Sequence, residues 1–394
     1  MSVDRTREFR LPGIQDLNKD QDEALALPME GQHLIVGGPG TGKSVVALLR
    51  ARRLSEAGRT YGTLVYNRLL HHSNRHLFGH DRRFLAGTWD SWFRGHFKRR
   101  FSTDIPTLEP DYPGGYPPID WDAVEQEVQS VETIEDQSDK FLVIDEGQDM
   151  PPAFYRTLAN LGFENFYVTA DQNQQIHPDK CSSRQDIENV LAIEPEDTLE
   201  LKINYRNTRP IALLARHFYP ADPASPKPEL PDSVPNAAVP ELWTYGSADT
   251  LSLTAMADGI LKLSDRNPRK LIGIITPNNK VREGFLVSLQ QASPLLDNGK
   301  PPIQTYQAGQ KKALDFRHGG IMILNAQSCK GLEFDTVILA DIDQHKPKNE
   351  HDLKARFYVM VSRARERIIL LRTGEVCPVV DALLPTDSSV LVRK

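Results

Sequence analysis

Apolar and polar positions along the chain fall into two alternating patterns. Short β-rich apolar runs recur as "HLIVGG" (33–38), "TLVYN" (63–67), "FLVIDE" (141–146), "NFYVTAD" (165–171), "LIGIIT" (271–276), "IMILNA" (321–326), "TVILAD" (336–341) and "RIILLR" (367–372). Each is continuous rather than alternating, which is the signature of a strand covered on both faces. Helical spacing lies between several of them, as in "KSVVALLRARRLSEAG" (43–58). Buried strands alternating with helices predict mainly parallel sheets flanked by helices, an α/β class. Four runs precede Leu201 and four follow it, which predicts two α/β domains, 1–201 and 202–394.

Two stretches interrupt the pattern. Residues 102–139, within a small insertion over about 96–139, are acidic and begin rich in Pro and Gly. Residues 220–240 hold seven prolines, which excludes a helix or a central strand there. Both are expected to be surface excursions, the second a stiff loop.

Composition narrows the class. The chain has 394 residues, a quarter of them charged, and a formal net charge of −6. That balance does not describe a nucleic-acid coat, although a local basic surface remains compatible with it. No apolar run is long enough to cross a membrane, and the start, "MSVDRTREFRLPG", lacks the apolar core of a secretory signal. Cys181, Cys329 and Cys377 are too far apart in sequence to suggest a disulfide framework or a cysteine-rich metal cluster. A cytoplasmic location is the expectation.

The chemistry begins at "GGPGTGKS" (37–44), which fits G-x-x-x-x-G-K-[ST] after a strand and at the start of a helix. In such a loop Gly37, Gly38, Pro39, Gly40, Thr41 and Gly42 turn backbone N–H groups toward phosphate oxygens. Lys43 is expected on the β- and γ-phosphates and Ser44 on Mg²⁺. The strand end "VIDEGQDM" (143–150) then supplies Asp145 for the magnesium and Glu146 to activate the attacking water. ATP and Mg²⁺ are therefore the expected ligands. His72, His76 and His80 are four apart, but no carboxylate or cysteine pattern accompanies them as a metal site.

Seven segments in order carry a resemblance: "LNKDQ" (17–21), "GGPGTGKS" (37–44), "DEGQD" (145–149), "ADQNQQI" (170–176), "NYR" (204–206), "QSCKGLEFD" (327–335) and "RFYVMVSRAR" (356–365). The series resembles superfamily 1 helicases of the UvrD/Rep-like type, in a compact form with reduced insertions. The resemblance implies two RecA-like P-loop NTPase domains with ATP between them and single-stranded nucleic acid, DNA rather than RNA, across both. It implies that Gln21 reads adenine, Tyr205 stacks on the base, Glu333 contacts the ribose, Gln148 and Gln174 are coupling glutamines near the γ-phosphate and the water, and Asp149 shares in that coupling. Arg206 and Arg363 resemble the two arginines that reach the γ-phosphate from the second domain, where a permanently charged guanidinium suits phosphoryl transfer. Asn67 and Arg68, in "VYNRLL" (65–70), resemble a strand-contacting motif.

The chain also departs from that family. Asn325 and Gln327 stand where Thr and His are usual, Ala170 replaces Gly, and Ser362 replaces Thr. Gln327 is kept as a nucleic-acid candidate. "TWDSWFRGHFKRRF" (88–101) adds Arg99 and Arg100 as phosphate contacts, while Trp89, Phe93, Phe97 and Phe101 have the spacing of a buried helix face. The expected function is an ATP-dependent motor on a single strand. The alternative is an ATP-driven, nucleic-acid-sensing subunit that controls a protein partner such as a nuclease, in genome defence or repair. The short insertions leave the isolated monomer a weak unwinder, so an oligomer or a partner would supply the missing duplex contacts.

Overall fold

A computed structural model of the chain describes residues 3–7, 14–65, 85–110, 116–131, 136–174, 181–246, 252–306, 314–346, 349–374 and 377–394. Among the described residues thirteen strands form two sheets. The first contains β1 (Gln32–Gly37), β2 (Thr60–Val65), β3 (Leu85–Thr88), β4 (Lys140–Ile144), β5 (Asn165–Ala170) and β6 (Leu199–Leu201), in the order β3-β2-β4-β5-β1-β6. The second contains β7 (Glu241–Thr244), β8 (Leu271–Thr276), β9 (Ile303–Thr305), β10 (Gly320–Asn325), β11 (Phe334–Leu339), β12 (Ala364–Arg372) and β13 (Val392–Arg393), in the order β13-β7-β12-β11-β8-β10-β9. Every pairing within both sheets is parallel, so the α/β expectation holds.

Continuous apolar runs make sense once both faces are covered. Along β1, Leu34 and Val36 enter a cluster with Phe93, Phe97 and Phe154. Ile35, between them, faces the opposite side with Val46, Ala51 and Leu54 of the Lys43–Glu56 helix. The second sheet is likewise buried on two sides, under Phe357 and Leu353 on one and Ile260 and Phe285 on the other. Burying a side chain of this kind contributes about 1.5–3 kcal/mol, which is why the clusters, not helix propensity, hold the layers together. No described helix is long and apolar enough to cross a membrane.

Three features depart from the simple pattern. Residues 102–139 are not only a surface excursion, because the Trp121–Gln129 helix buries Val124 and Val128 in the first core. Its acids lie on the outer side, and they dominate the composition that hid the apolar stripe.

The proline-rich stretch has no helix, as expected, but part of it is a strap rather than a free loop. Glu229 bridges to Ile203, and the Ser225 hydroxyl accepts from Gln172 N at 3.1 Å. The Pro228 ring lies over Gly38, where an added Cβ would come within 2.0 Å of its Cγ. Proline rings need no backbone donor and so can lie flat on another segment's backbone.

Finally, residues 3–7 lie on the second sheet's side. Thr6 bridges His318, and Arg7 pairs with the buried Asp335 at 3.0 Å.

Candidate nucleotide site

The glycine-rich loop, the expected phosphate site, follows β1 and opens the Lys43–Glu56 helix. Gly40 and Gly42 have φ of 78° and 94°, which favour glycine. Side chains would not fit there in any case: a Cβ on Gly40 would meet Asn204 Oδ1 at 2.3 Å, and one on Gly42 would meet Gln21 Nε2 at 2.2 Å. Gln21 completes a capping box with Asn18, and its Nε2 donates to Thr41 O at 2.9 Å. Its amide is thus held against the loop, and reading adenine would exchange these bonds. Lys43 Nζ donates to Gly37 O and Gly38 O at 2.7 and 2.9 Å, and lies 3.6 Å from Asp171.

Sheet order brings the acids to the loop. β5 lies between β1 and β4, so the ends of all three strands open on one edge, the edge where parallel sheets bind ligands. Asp145 Oδ1 accepts from Thr169 Oγ1 at 2.7 Å, while its buried Oδ2 has no hydrogen bond among the described residues. Burial and then the neighbouring Glu146 push the Asp145 carboxyl up, against the hydroxyls of Thr169 and Ser44 and the Lys43 ammonium. An orphaned carboxylate oxygen beside a serine hydroxyl fits a hard cation. Among the described residues no cluster of three His, Cys, Asp or Glu could hold a metal alone. Such a cation would need phosphate oxygens and water to complete its shell.

Glu146 has a φ of 59°, uncommon for a residue with a side chain, and is 5% exposed. Strain of this kind collects where a side chain must be aimed. Its Oε2 accepts from Gln148 Nε2 at 2.6 Å, and Gln148 Oε1 accepts from Asp171 N at 2.9 Å. Burial pushes the Glu146 carboxyl up, but Lys330, Lys43 and Arg363 outweigh it and hold the group below the ordinary glutamate value. That direction favours the carboxylate form, which the expected base role requires.

The second half reaches into this site. Lys330 Nζ lies 2.6 Å from Asp149 and 3.9 Å from Glu146, and donates to Gln174 O at 2.5 Å. Burial pulls its ammonium down, yet the Asp149 and Glu146 carboxylates raise it beyond the ordinary lysine value. Arg363, 1% exposed, donates to Gln174 Oε1 at 2.6 Å and to Val359 O at 2.9 Å. Arg206 pairs with Glu333.

A cavity of about 270 Å³ opens among these groups, lined by Gln21, Pro39, Gly40, Gly42, Lys43, Ser44, Glu146, Gln174, Tyr205, Arg206, Glu333 and Arg363. Tyr205 is 53% exposed at its edge. Asp145, Gln148 and Asp149 lie behind this lining. Lys330 and Arg365 are the cations that sequence reasoning passed over, the second lining the cavity directly. Lys330 stands inside the quoted segment "QSCKGLEFD" (327–335), and that place was its one signal in the sequence.

Other candidates lie elsewhere. Gln327 borders a small separate cavity with Arg356, and Arg99 and Arg100 border another beside Trp92. Asn67, Arg68 and the three histidines His72, His76 and His80 lie outside the described residues. The aromatic stripe is core as expected, with Phe93 and Phe97 fully buried.

Residues 320–371 match the UvrD-like helicase C-terminal domain. This UvrD-like segment runs from β10 through β12, and so contains Lys330, Glu333 and Arg363. A solved structure described as the C-terminal domain of a possible DNA helicase from Lactobacillus plantarun WCFS1 is 18% identical. It covers 48% of this chain and 98% of its own length, at a TM-score of 0.34. No curated protein matches. The UvrD-like match is thus of helicase type and confined to the second half.

Proposed function

We propose that the chain is an ATP-driven motor on single-stranded nucleic acid, DNA in preference to RNA. Its two RecA-like domains would be 1–201 and 202–394, with residues 3–7 docked on the second. One observation carries this reading: the glycine-rich loop and Glu146 from the first half line one cavity together with Arg206, Glu333 and Arg363 from the second, and behind that lining Lys330 pairs with Asp149.

In this reading Lys43 leaves the carbonyls of Gly37 and Gly38 for the β- and γ-phosphates. Ser44 and Asp145 would hold Mg²⁺, which would neutralise charge on the phosphates. Glu146, anionic and aimed by its backbone, takes a proton from the attacking water. Gln174, bonded to Arg363, lies where it can orient that water and report the phosphate to the second domain. Arg206 exchanges Glu333 for the γ-phosphate, and Glu333 is freed for the ribose. Tyr205 carries the base, with Gln21 at its edge. Gln148 and Asp149 tie these groups to Lys330, so closure and charge neutralisation are linked. Hydrolysis then removes the anion that bridges the domains and lets them part.

The test is steady-state ATP turnover of the whole chain with no nucleic acid, with single-stranded DNA and with RNA. Stimulation by a single strand supports the motor. Turnover that ignores all three conditions, or no turnover, overturns it.

A further inference from the structure

A second cavity, of about 290 Å³, lies at the opposite edge of the first sheet. Thr60 and Lys140, which open β2 and β4, border it. Asp145 follows the other end of β4, roughly 16 Å away at about 3.3 Å per residue. The two cavities therefore share a strand but not a mouth.

Helix spacing builds the wall. Trp92 and His96, one turn apart in the Trp89–Phe101 helix, stack with centroids 5.3 Å apart and planes 11° from parallel. Phe163 meets both edge-on, at 6.0 and 5.3 Å. Gly62 faces the indole edge, and a Cβ there would only touch Trp92 Nε1, at 3.7 Å. The next turn adds Arg99 and Arg100, and Lys140 stands across from them.

Charge separates this cavity from ordinary packing. Arg94 and Lys98 on the same helix are paired with Asp90 and Asp104. The second cavity has three cations and no carboxylate among its lining residues, and Arg99 has no carboxylate partner among the described residues. Packing would explain Trp92 and Phe163. It does not bring three cations to one aromatic wall, although Lys140 Nζ also donates to Gln137 Oε1 at 2.5 Å and Arg99 and Arg100 sit in the last turn of their helix, where cations are favoured.

We propose that this cavity binds one nucleoside monophosphate unit, its base against the Trp92–His96 pair and its phosphate between Arg99, Arg100 and Lys140. An aromatic face and a cationic rim are what a base and its phosphate need. The volume sits near the small end of ligand sites, about 300–1,000 Å³, and so suits a single unit. A free mononucleotide and the terminal nucleotide of a strand present the same groups. The site is independent of what the nucleotide cleft does.

Photo-crosslinking of the full chain tests this, with the cleft saturated by a non-hydrolysable ATP analogue. One probe is 5-iodo-dUMP. The other is a short DNA strand whose 5′-phosphorylated terminal base is 5-iodouracil. An adduct at Trp92 or His96 is expected. The double variant Arg99→Gln/Arg100→Gln should lower its yield roughly tenfold or more, since charge-assisted bonds are lost. Labelling by the free nucleotide alone identifies that source, and labelling by the strand identifies a strand end. No adduct within 89–101 from either probe overturns the proposal, as does an adduct undiminished in the double variant. Should that variant lose its cooperative melt, Lys140→Gln gives the same readout.

Discussion

Glu146 and Lys43 are both buried beside the phosphate loop, yet their losses should read differently. Glu146→Gln keeps the hydrogen bond to Gln148 and removes only a negative charge. Turnover should fall about 10²–10⁴-fold, the range of a lost general base, while nucleotide binding persists. Lys43→Ala should lose turnover and weaken binding together. Parallel measurements of nucleotide affinity and turnover separate the two, and a Glu146→Gln enzyme at full rate would remove it as the base.

His345 offers a pH test away from the site. Burial first, then Arg356, pushes its imidazole down to about 4, with Asp343 opposing. It is 5% exposed, and its Nε2 has no hydrogen bond among the described residues. The unfolded chain would protonate near the ordinary histidine value of about 6.5. Between those values the unfolded state binds the extra proton, so stability is present above about 6.5 and is lost as pH falls toward 4. About 3 kcal/mol is at stake. His345→Phe, which keeps a ring against Phe357, should flatten that slope in denaturant melts.

Among elements, all eight apolar runs became strands, because a fully covered strand writes its burial into every position. The five strands the pattern missed, β3, β6, β7, β9 and β13, are two to four residues long, and four of them are sheet edges. Too few side chains are buried there to leave a period. The Trp121–Gln129 helix was missed because its acids outnumber the apolar residues it buries. Val124→Ala should nevertheless destabilise the protein by about 2 kcal/mol, as a core truncation does. A loss under about 0.5 kcal/mol in chemical denaturation would make that helix a detachable cover.

The glycine-rich loop and the two acids that the fold brings beside it were legible as candidates because each is written in consecutive residues. Lys330 was not, since its carboxylate partner is more than a hundred positions away and only the fold joins them.

For the molecule as a whole, the test is whether the halves work as one site. Arg363→Ala should keep nucleotide binding and lose turnover by about 10³-fold, the scale of a removed arginine finger. Tyr205→Ala should instead weaken nucleotide binding by roughly tenfold, through lost contact with the base. Equal and minor effects from both would leave the shared cleft without a role. Between β8 and β10 the described residues hold one helix and one short strand. Among the described residues there, nothing amounts to an additional folded unit. The isolated monomer should accordingly show little strand separation in a single-turnover assay on a partial duplex. Processive unwinding by a verified monomer would refute that.

The placement of residues 3–7 has a mechanical corollary. The polypeptide leaves the second sheet's flank at Arg7, builds the first sheet from Gln32 onward, and returns after Leu201. Two covalent crossings therefore join the bodies, as two pins join a door to its frame. Two connections restrain relative movement of the halves more than one would, and the Arg7–Asp335 pair anchors the first of them on the second sheet's flank.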